Sequence, residues 1–282
     1  MTVAADTITL SDATFDRLAQ IAFDRSGVRV RADHRKMLES GLWPRLEELG
    51  LDDFDQYVSL LSMGPYQHQE FQEMLDRITP HDASFFRGES QLAVVEQVVL
   101  AELLEARQTT RRLRIWSAAC ASGADAYALA MMVHRSLGAS LWDWHVEILG
   151  TDISERRLEI ALEGCYSEEA LRGTPEAAKQ RYFERHGKGW RVHDDIRSLV
   201  SFKPHTLKDA LAARRHGVWD AIICRDGLVD LDPDTRGKVL DLFRRQLADD
   251  GTLVLGPSDG IGPADGPFVA RAEPGGFCYR KA

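Results

Sequence analysis

Cysteine is too sparse, and too scattered, for either of its usual structural roles. The four residues, Cys120, Cys165, Cys224 and Cys278, contain no CxxC pair, so neither a zinc site nor a disulfide framework is indicated. Cys120 and Cys224 stand in apolar, strand-like contexts and read as buried small hydrophobes. Positive charge is also short: the formal net charge is −9, which argues against nucleic acid as the main partner. No apolar run reaches membrane-spanning length, and the opening MTVAADTITL has no basic stretch before an apolar core. The expectation is a cytoplasmic chain. Only one glycine, Gly123, stands where a dinucleotide fingerprint has three, so pyrophosphate binding is not supported.

What is present centres on Arg114 to Val133, RIWSAACASGADAYALAMMV. Ile115 and Trp116 enter a patch of small residues, Ser117 to Gly123, and the chain leaves in a helical pattern from Ala124. That is how a buried parallel strand turns tightly into a helix. Small residues and a glycine able to take positive φ let the backbone approach a ligand lying across the strand end. One helix later EILGTDI, Glu147 to Ile153, ends on Asp152. An acid there can accept hydrogen bonds from both hydroxyls of a ribose. S-adenosylmethionine has a ribose and no phosphate, and it fits Gly123 with Asp152 better than a dinucleotide does. A plain strand-to-helix turn beside a surface acid would leave the same residues.

With 282 residues, 44% hydrophobic and 28% charged, the chain can hold an α/β domain and a smaller helical one. Residues 1 to about 77 read as helices. Ser11 is a candidate N-cap and Gly27 a stop, and a second helix, about 32–48, is expected to break near Gly41 and Pro44. A third starts at Asp52 or Asp53, and a fourth follows Pro65. Phe85, Phe86 and Arg87 precede a helix from about Ser90. They offer either core packing with an exposed arginine or an aromatic wall with a guanidinium facing a substrate carboxylate. Farther on, a helix at about 175–185, a hairpin in HGKGWRVHDDIRSLVSF, a strand at 219–224, a turn at Asp250-Gly251, a strand at 252–255 and a closing hairpin follow. Alternating β and α elements indicate an α/β fold with a doubly wound, mostly parallel sheet.

These pieces resemble the chemotaxis-receptor methyltransferase (CheR-type) family. SFFR, IWSAACASG, ILGTDIS, GCYSEEALRG, QRYFER, WDAIICR and DPDTRGKVLDLF are similar to family blocks and stand in family order. The resemblance implies an N-terminal helical domain at 1–77. It implies a Rossmann-like class I methyltransferase domain at 78–282, with a β-subdomain inserted at about 186–203 that docks on a receptor tail in some members. The implied cofactor is S-adenosyl-L-methionine and the implied reaction is methyl transfer to a glutamate of an acidic receptor helix. The matching cofactor positions are Thr79, Ala83, Arg87, Ala119, Gly123, Asp125, Asp152, Ile153, Thr206, Leu207, Arg225 and Asp226. Arg87 and Asp230 match the catalytic ones.

Several of these positions depart from the family pattern. Thr79, His81 and Ala83 stand for Thr-x-Asn-x-Thr, and Thr206 for an asparagine near the adenine. Ala124 replaces the first acid of Gly-Glu-Glu-Pro-Tyr, the one implied to hold the cofactor's amino group. Asp226 and Asp230 replace the asparagine and tyrosine of Arg-Asn-x-x-x-Tyr. The arginine-rich recognition helix is here MLESGLWPRL, with Arg35, Lys36 and Arg45 remaining, so the usual receptor surface is not the expected partner. Two readings follow: a methyltransferase with a diverged pocket, or a methyltransferase-fold module that binds a partner or ligand without turnover.

Overall fold

The computed structural model describes residues 9–63, 66–78, 84–261 and 266–282. The chain divides into two units, Met1–His81 and Asp82–Ala282.

In the first unit, helix α1 (Asp12–Ser26) begins where the Ser11 side chain accepts the Thr14 N–H, and it ends at Gly27 in the left-handed region, φ 81°. Helices α2 (Arg35–Leu49), α3 (Phe54–Ser62) and α4 (Gln67–Ile78) follow, with Asp53 capping α3. The expected break in α2 does not occur; the helix runs unbroken through both Gly41 and Pro44. Tertiary packing overrides the local cost: a Cβ at residue 41 would stand 2.5 Å from the Arg77 carbonyl oxygen, so glycine lets α4 come close. Leu38, Leu42 and Leu46 keep one face of α2 buried. Glu70, 4% exposed, is held by both arms of Arg45 (3.0 and 2.7 Å) and by the Tyr57 hydroxyl (2.8 Å). Arg35 donates to Asp12 and to the Leu10 carbonyl. Two of the three cations kept from the recognition-helix pattern are therefore engaged inside this unit.

The second unit opens with α5 (Glu89–Val94), which passes through a π-turn at Val95–Leu100 into α6 (Ala101–Ala106). Then come β1 (Arg112–Ala118), α7 (Ala124–Leu137), β2 (His145–Asp152), α8 (Glu155–Glu163) and β3 (Cys165–Tyr166). Helix α9 (Glu176–Tyr182), β4 (Phe183–His186), β5 (Gly189–Val192), α10 (Asp194–Arg197) and β6 (Val200–Pro204) continue the chain. Last are α11 (Ala210–Arg214), β7 (Trp219–Cys224), α12 (Pro233–Gln246), β8 (Leu247–Leu255), β9 (Phe268–Glu273) and β10 (Gly276–Lys281).

Seven strands form the main sheet in the order β6-β2-β1-β7-β8-β10-β9, parallel except where β10 joins. Its middle strands are buried on both faces, which explains their near-continuous apolar runs. Ile115, Ile148, Ile223 and Val254 pack on one side with α7. Trp116, Leu149, Ile222 and Leu253 pack on the other with α12. From β1 the chain winds outward to β2 and β6, then crosses back to β7 and β8. The order therefore reverses between β1 and β7, where doubly wound sheets place their ligand crevice.

Two boundaries differ from expectation. The small sheet has the order β3-β5-β4, spanning Cys165–Val192 rather than about 186–203. Strand β6 (Val200–Pro204), which overlaps the end of that expected insertion, pairs instead with β2 as an edge of the main sheet. Strand β3 is two residues long, too short to leave a periodicity. In this small sheet Trp190 donates to Glu168 (2.7 Å) with its ring facing Arg185 (4.0 Å) and Lys179 (4.3 Å). Asp250-Gly251, expected as a turn, lies within β8. Pairing jumps from Trp219–Leu247 to Ala221–Thr252, so the segment is accommodated as a bulge.

Candidate active site

Strand register builds the site. Ala118 pairs with both Thr151 and Cys224, Asp152 with Pro204, and Cys224 with Leu255. Five segments therefore leave the sheet at one rim: 119–123, 153–154, 205–207, 225–231 and 256–259.

The first loop turns through positive φ at Ala119 (53°), Ala121 (47°) and Gly123 (85°), a strained route for the two alanines. Hydrogen bonds hold it in place. The Cys120 N–H donates to the Thr151 carbonyl (2.9 Å), and the Ala121 N–H donates to Asp152 Oδ2 (2.8 Å). Asp152 Oδ1 accepts the Ser154 N–H at 2.9 Å. Asp152 is thus a brace for the loop as well as an acid at the strand end. It is 7% exposed, and burial pushes its carboxyl above the ordinary range against the pull of the two amides. At Gly123 a Cβ would lie 2.8 Å from the Ala161 Cβ and 2.9 Å from the Phe202 ring, so packing as well as φ demands glycine. The Tyr166 hydroxyl, from the small sheet, donates to the Ser122 carbonyl at 2.6 Å.

Beside the brace, the His205 N–H donates to the Asp152 carbonyl (2.8 Å). This places Thr206 and Leu207 next to β2. Thr206 Oγ1 is buried without a hydrogen-bond partner among the described residues. Ile153 is half-buried after Asp152. Ala119 and Leu207 both flank Gly227, where a Cβ would be 2.7 Å from Ala119 and 3.8 Å from Leu207.

Charged groups close the rim. Arg225, its side chain 3% exposed, donates to Asp125 Oδ1 (3.2 Å) and to the Arg87 carbonyl. Burial raises the Asp125 carboxyl, with Arg225 and then Arg87 opposing. Arg87 donates to Asp226 Oδ2. Asp226 has φ 61°, a conformation aspartate and asparagine tolerate better than most residues. The sequence reading missed Asp259, which is 0% exposed, accepts the Leu228 N–H (2.9 Å) and has its carboxyl raised by burial. An acid four residues past the end of a core strand was its only signal.

The structure thus gathers Arg87, Ala119, Gly123, Asp125, Asp152, Ile153, Thr206, Leu207, Arg225 and Asp226 at one rim. Asp230 lies on the loop after β7, half-buried, with no hydrogen-bond or ion-pair partner among the described residues. Thr79 and Ala83, with His81, lie outside the described residues.

A doubly wound sheet with a strained small-residue loop after β1, and a braced acid after β2, defines a Rossmann-like class I methyltransferase fold. The chain matches the CheR methyltransferase SAM-binding domain over residues 81–272 and the CheR all-alpha domain over residues 13–79. It is 32% identical over 275 residues to a chemotaxis protein methyltransferase of Escherichia coli K12, covering 94% of this chain and 91% of that protein. A chemotaxis protein methyltransferase of Borreliella burgdorferi is 28% identical over 257 residues, 90% of each chain. The probable biofilm formation methyltransferase WspC of Pseudomonas putida is 30% identical over 243 residues, covering 84% of this chain and 54% of that protein. The chain belongs to the CheR methyltransferase family, and its cofactor is S-adenosylmethionine. No helix among the described residues is long and apolar enough to cross a membrane.

Proposed function

We propose that this chain methylates a carboxylate side chain on a protein partner of the chemoreceptor-signalling type, using S-adenosylmethionine. The observation that carries the reading is Arg87: an accessible guanidinium on a pinned backbone, already facing a carboxylate, beside the small-residue loop. The residues present suit the cofactor, since Asp152 keeps lone pairs beyond its two amides and Thr206 Oγ1 is a buried polar atom without a partner. When bound, the cofactor supplies an electrophilic methyl group on a sulfonium.

Each residue then has a distinct task. Asp152 accepts the ribose hydroxyls. Thr206 would offer its hydroxyl to the adenine, with Ile153 and Leu207 as apolar neighbours. Ala119 and Gly123 leave room for close backbone approach. Asp125 would provide negative charge near the cofactor's amino end, where Ala124 provides none. Arg87 orients the incoming carboxylate and offsets its charge.

Asp230 works against this chemistry if ionised near the sulfonium. A fixed carboxylate there would stabilise the cationic ground state more than the transition state.

The partner differs from the receptor surface implied by an arginine-rich helix, because Arg35 and Arg45 are engaged within the helical unit. The relatives' names place such enzymes in both chemotaxis and biofilm formation. Transfer of labelled methyl groups to glutamate-rich helical peptides tests the proposal. Base-labile label on the peptide that disappears in Arg87→Ala supports it. Tight S-adenosylhomocysteine binding without transfer to any carboxylate-bearing partner would overturn it in favour of a binding module.

A further inference from the structure

We infer that Asp226 is a built-in stand-in for the substrate carboxylate, holding Arg87 until a partner's carboxylate displaces it. The inference rests on the methyl-acceptor reading above. Three features separate this contact from a chance surface pair.

The first is that Arg87 has an anchored backbone and an exposed side chain. Its carbonyl accepts from Arg225, the neighbouring Phe85 N–H donates to the Ala170 carbonyl (3.2 Å), and the Phe85 ring is buried between Tyr166 and Phe183 at 4.7 and 5.1 Å. The Arg87 side chain, by contrast, is 60% exposed. A long cation on a fixed backbone can change partners without moving the site.

The second is that Asp226 is seated for this contact. Its backbone is left-handed, and a Cβ on Gly256 would stand 2.8 Å from its nitrogen and 3.1 Å from Oδ1. One carboxylate oxygen is thereby turned toward Gly256 and the other toward Arg87.

The third is that Arg225, the other arginine of this charge cluster, is committed. Arg225 is buried and bridges Asp125 and the Arg87 carbonyl. An incoming carboxylate meets Arg87 first.

Partial exposure decides the energetics. A pair with side chains 60% and 34% exposed is weak enough to exchange, worth a factor of a few in an equilibrium. While it persists, Asp226 also repels an anionic partner. Asp226 is thus a positioning residue that raises the threshold for acceptor binding, so that only a carboxylate with further contacts gains Arg87.

Asp226→Asn removes the charge while keeping volume and left-handed tolerance; Asp226→Gly, also suited to that conformation, is the second variant should the first misfold. With a synthetic glutamate-rich helical peptide and saturating S-adenosylhomocysteine, both variants are expected to lower the peptide Kd about fivefold. In an Arg87→Ala background the same substitutions should have no effect on Kd. The Arg87 side-chain N–H signal in NMR should exchange faster with water in Asp226→Asn than in the wild type. An unchanged Kd, an effect that survives Arg87→Ala, or an Arg87 signal indifferent to residue 226 each overturns the inference. If no peptide binds any variant, the methyl-acceptor reading falls and takes this one with it, whereas the NMR result alone shows whether Asp226 holds Arg87.

Discussion

Replacing Asp152 by alanine separates its two tasks, bracing the loop and binding the ribose. The substitution leaves the Ala121 and Ser154 amides without their acceptor. Charge-assisted bonds of this kind are worth about 1.5–3 kcal/mol each, so the gross loss is roughly 3–6 kcal/mol. Two effects reduce it. Burial already disfavours the ionised carboxylate, and alanine removes that cost. Ala121 is also only half-buried, so water can reach its amide. The net expectation is a loss of about 2 kcal/mol in urea unfolding, with Asp152→Asn losing about half as much because one acceptor oxygen remains. S-adenosylhomocysteine affinity, read by calorimetry on the folded variants, should fall at least tenfold in Asp152→Ala, or about 1.4 kcal/mol. The pH dependence has a defined sign. The Asp152 carboxyl is raised from 3.8 in the folded state, so the folded protein holds that proton more tightly than the unfolded chain. Wild-type stability therefore loses ground as pH rises from about 3.8 through the raised value, and the asparagine variant lacks that contribution. A folded Asp152→Ala protein with undiminished affinity would refute the ribose assignment. Undiminished stability would refute the bracing role.

Two further outcomes are expected. Gly41→Ala, which in an exposed helix would gain about 1 kcal/mol, should instead destabilise the protein by about 1–3 kcal/mol, because the new methyl meets the Arg77 carbonyl; thermal melting gives the sign directly. His205 is 6% exposed with neither ring nitrogen partnered among the described residues, and burial lowers its pKa to about 4 from 6.5. The unfolded chain then binds the proton more readily, so stability present above pH 6.5 is lost as pH falls toward 4, about 2 kcal/mol of it by pH 5. His205→Phe should flatten that part of the pH–stability curve measured by urea unfolding, and an unchanged slope would show that another group carries it.

Much of this molecule is written locally. Ser11, Gly27 and Asp53 punctuate helices by satisfying or ending their own hydrogen bonds, and the structure finds them doing so. The turn from Trp116 to Gly123, and Asp152 one helix later, were legible because strand, turn and helix each leave a short-range pattern. Where the penalty was local but the gain distant, the reading failed. Gly41 and Pro44 pointed to a broken helix, yet close approach of α4 and three buried leucines keep α2 whole. Cys165–Tyr166 is too short to show a period, so the small sheet was placed too late in the chain.

The sequence by itself determined the alternation of elements, the apolar strands and the residue types at the strand ends, because these depend on neighbours a few positions apart. Only tertiary structure decided which of those ends meet. Asp125 and Arg225 are 100 positions apart, Arg87 and Asp226 are 139 apart, and nothing in either neighbourhood encodes its partner. Register across β1, β2 and β7 brings them to one rim, and burial there raises the Asp125 and Asp152 carboxyls above their ordinary range. Charge pairing of that kind comes from packing many distant residues at once, which no local pattern records.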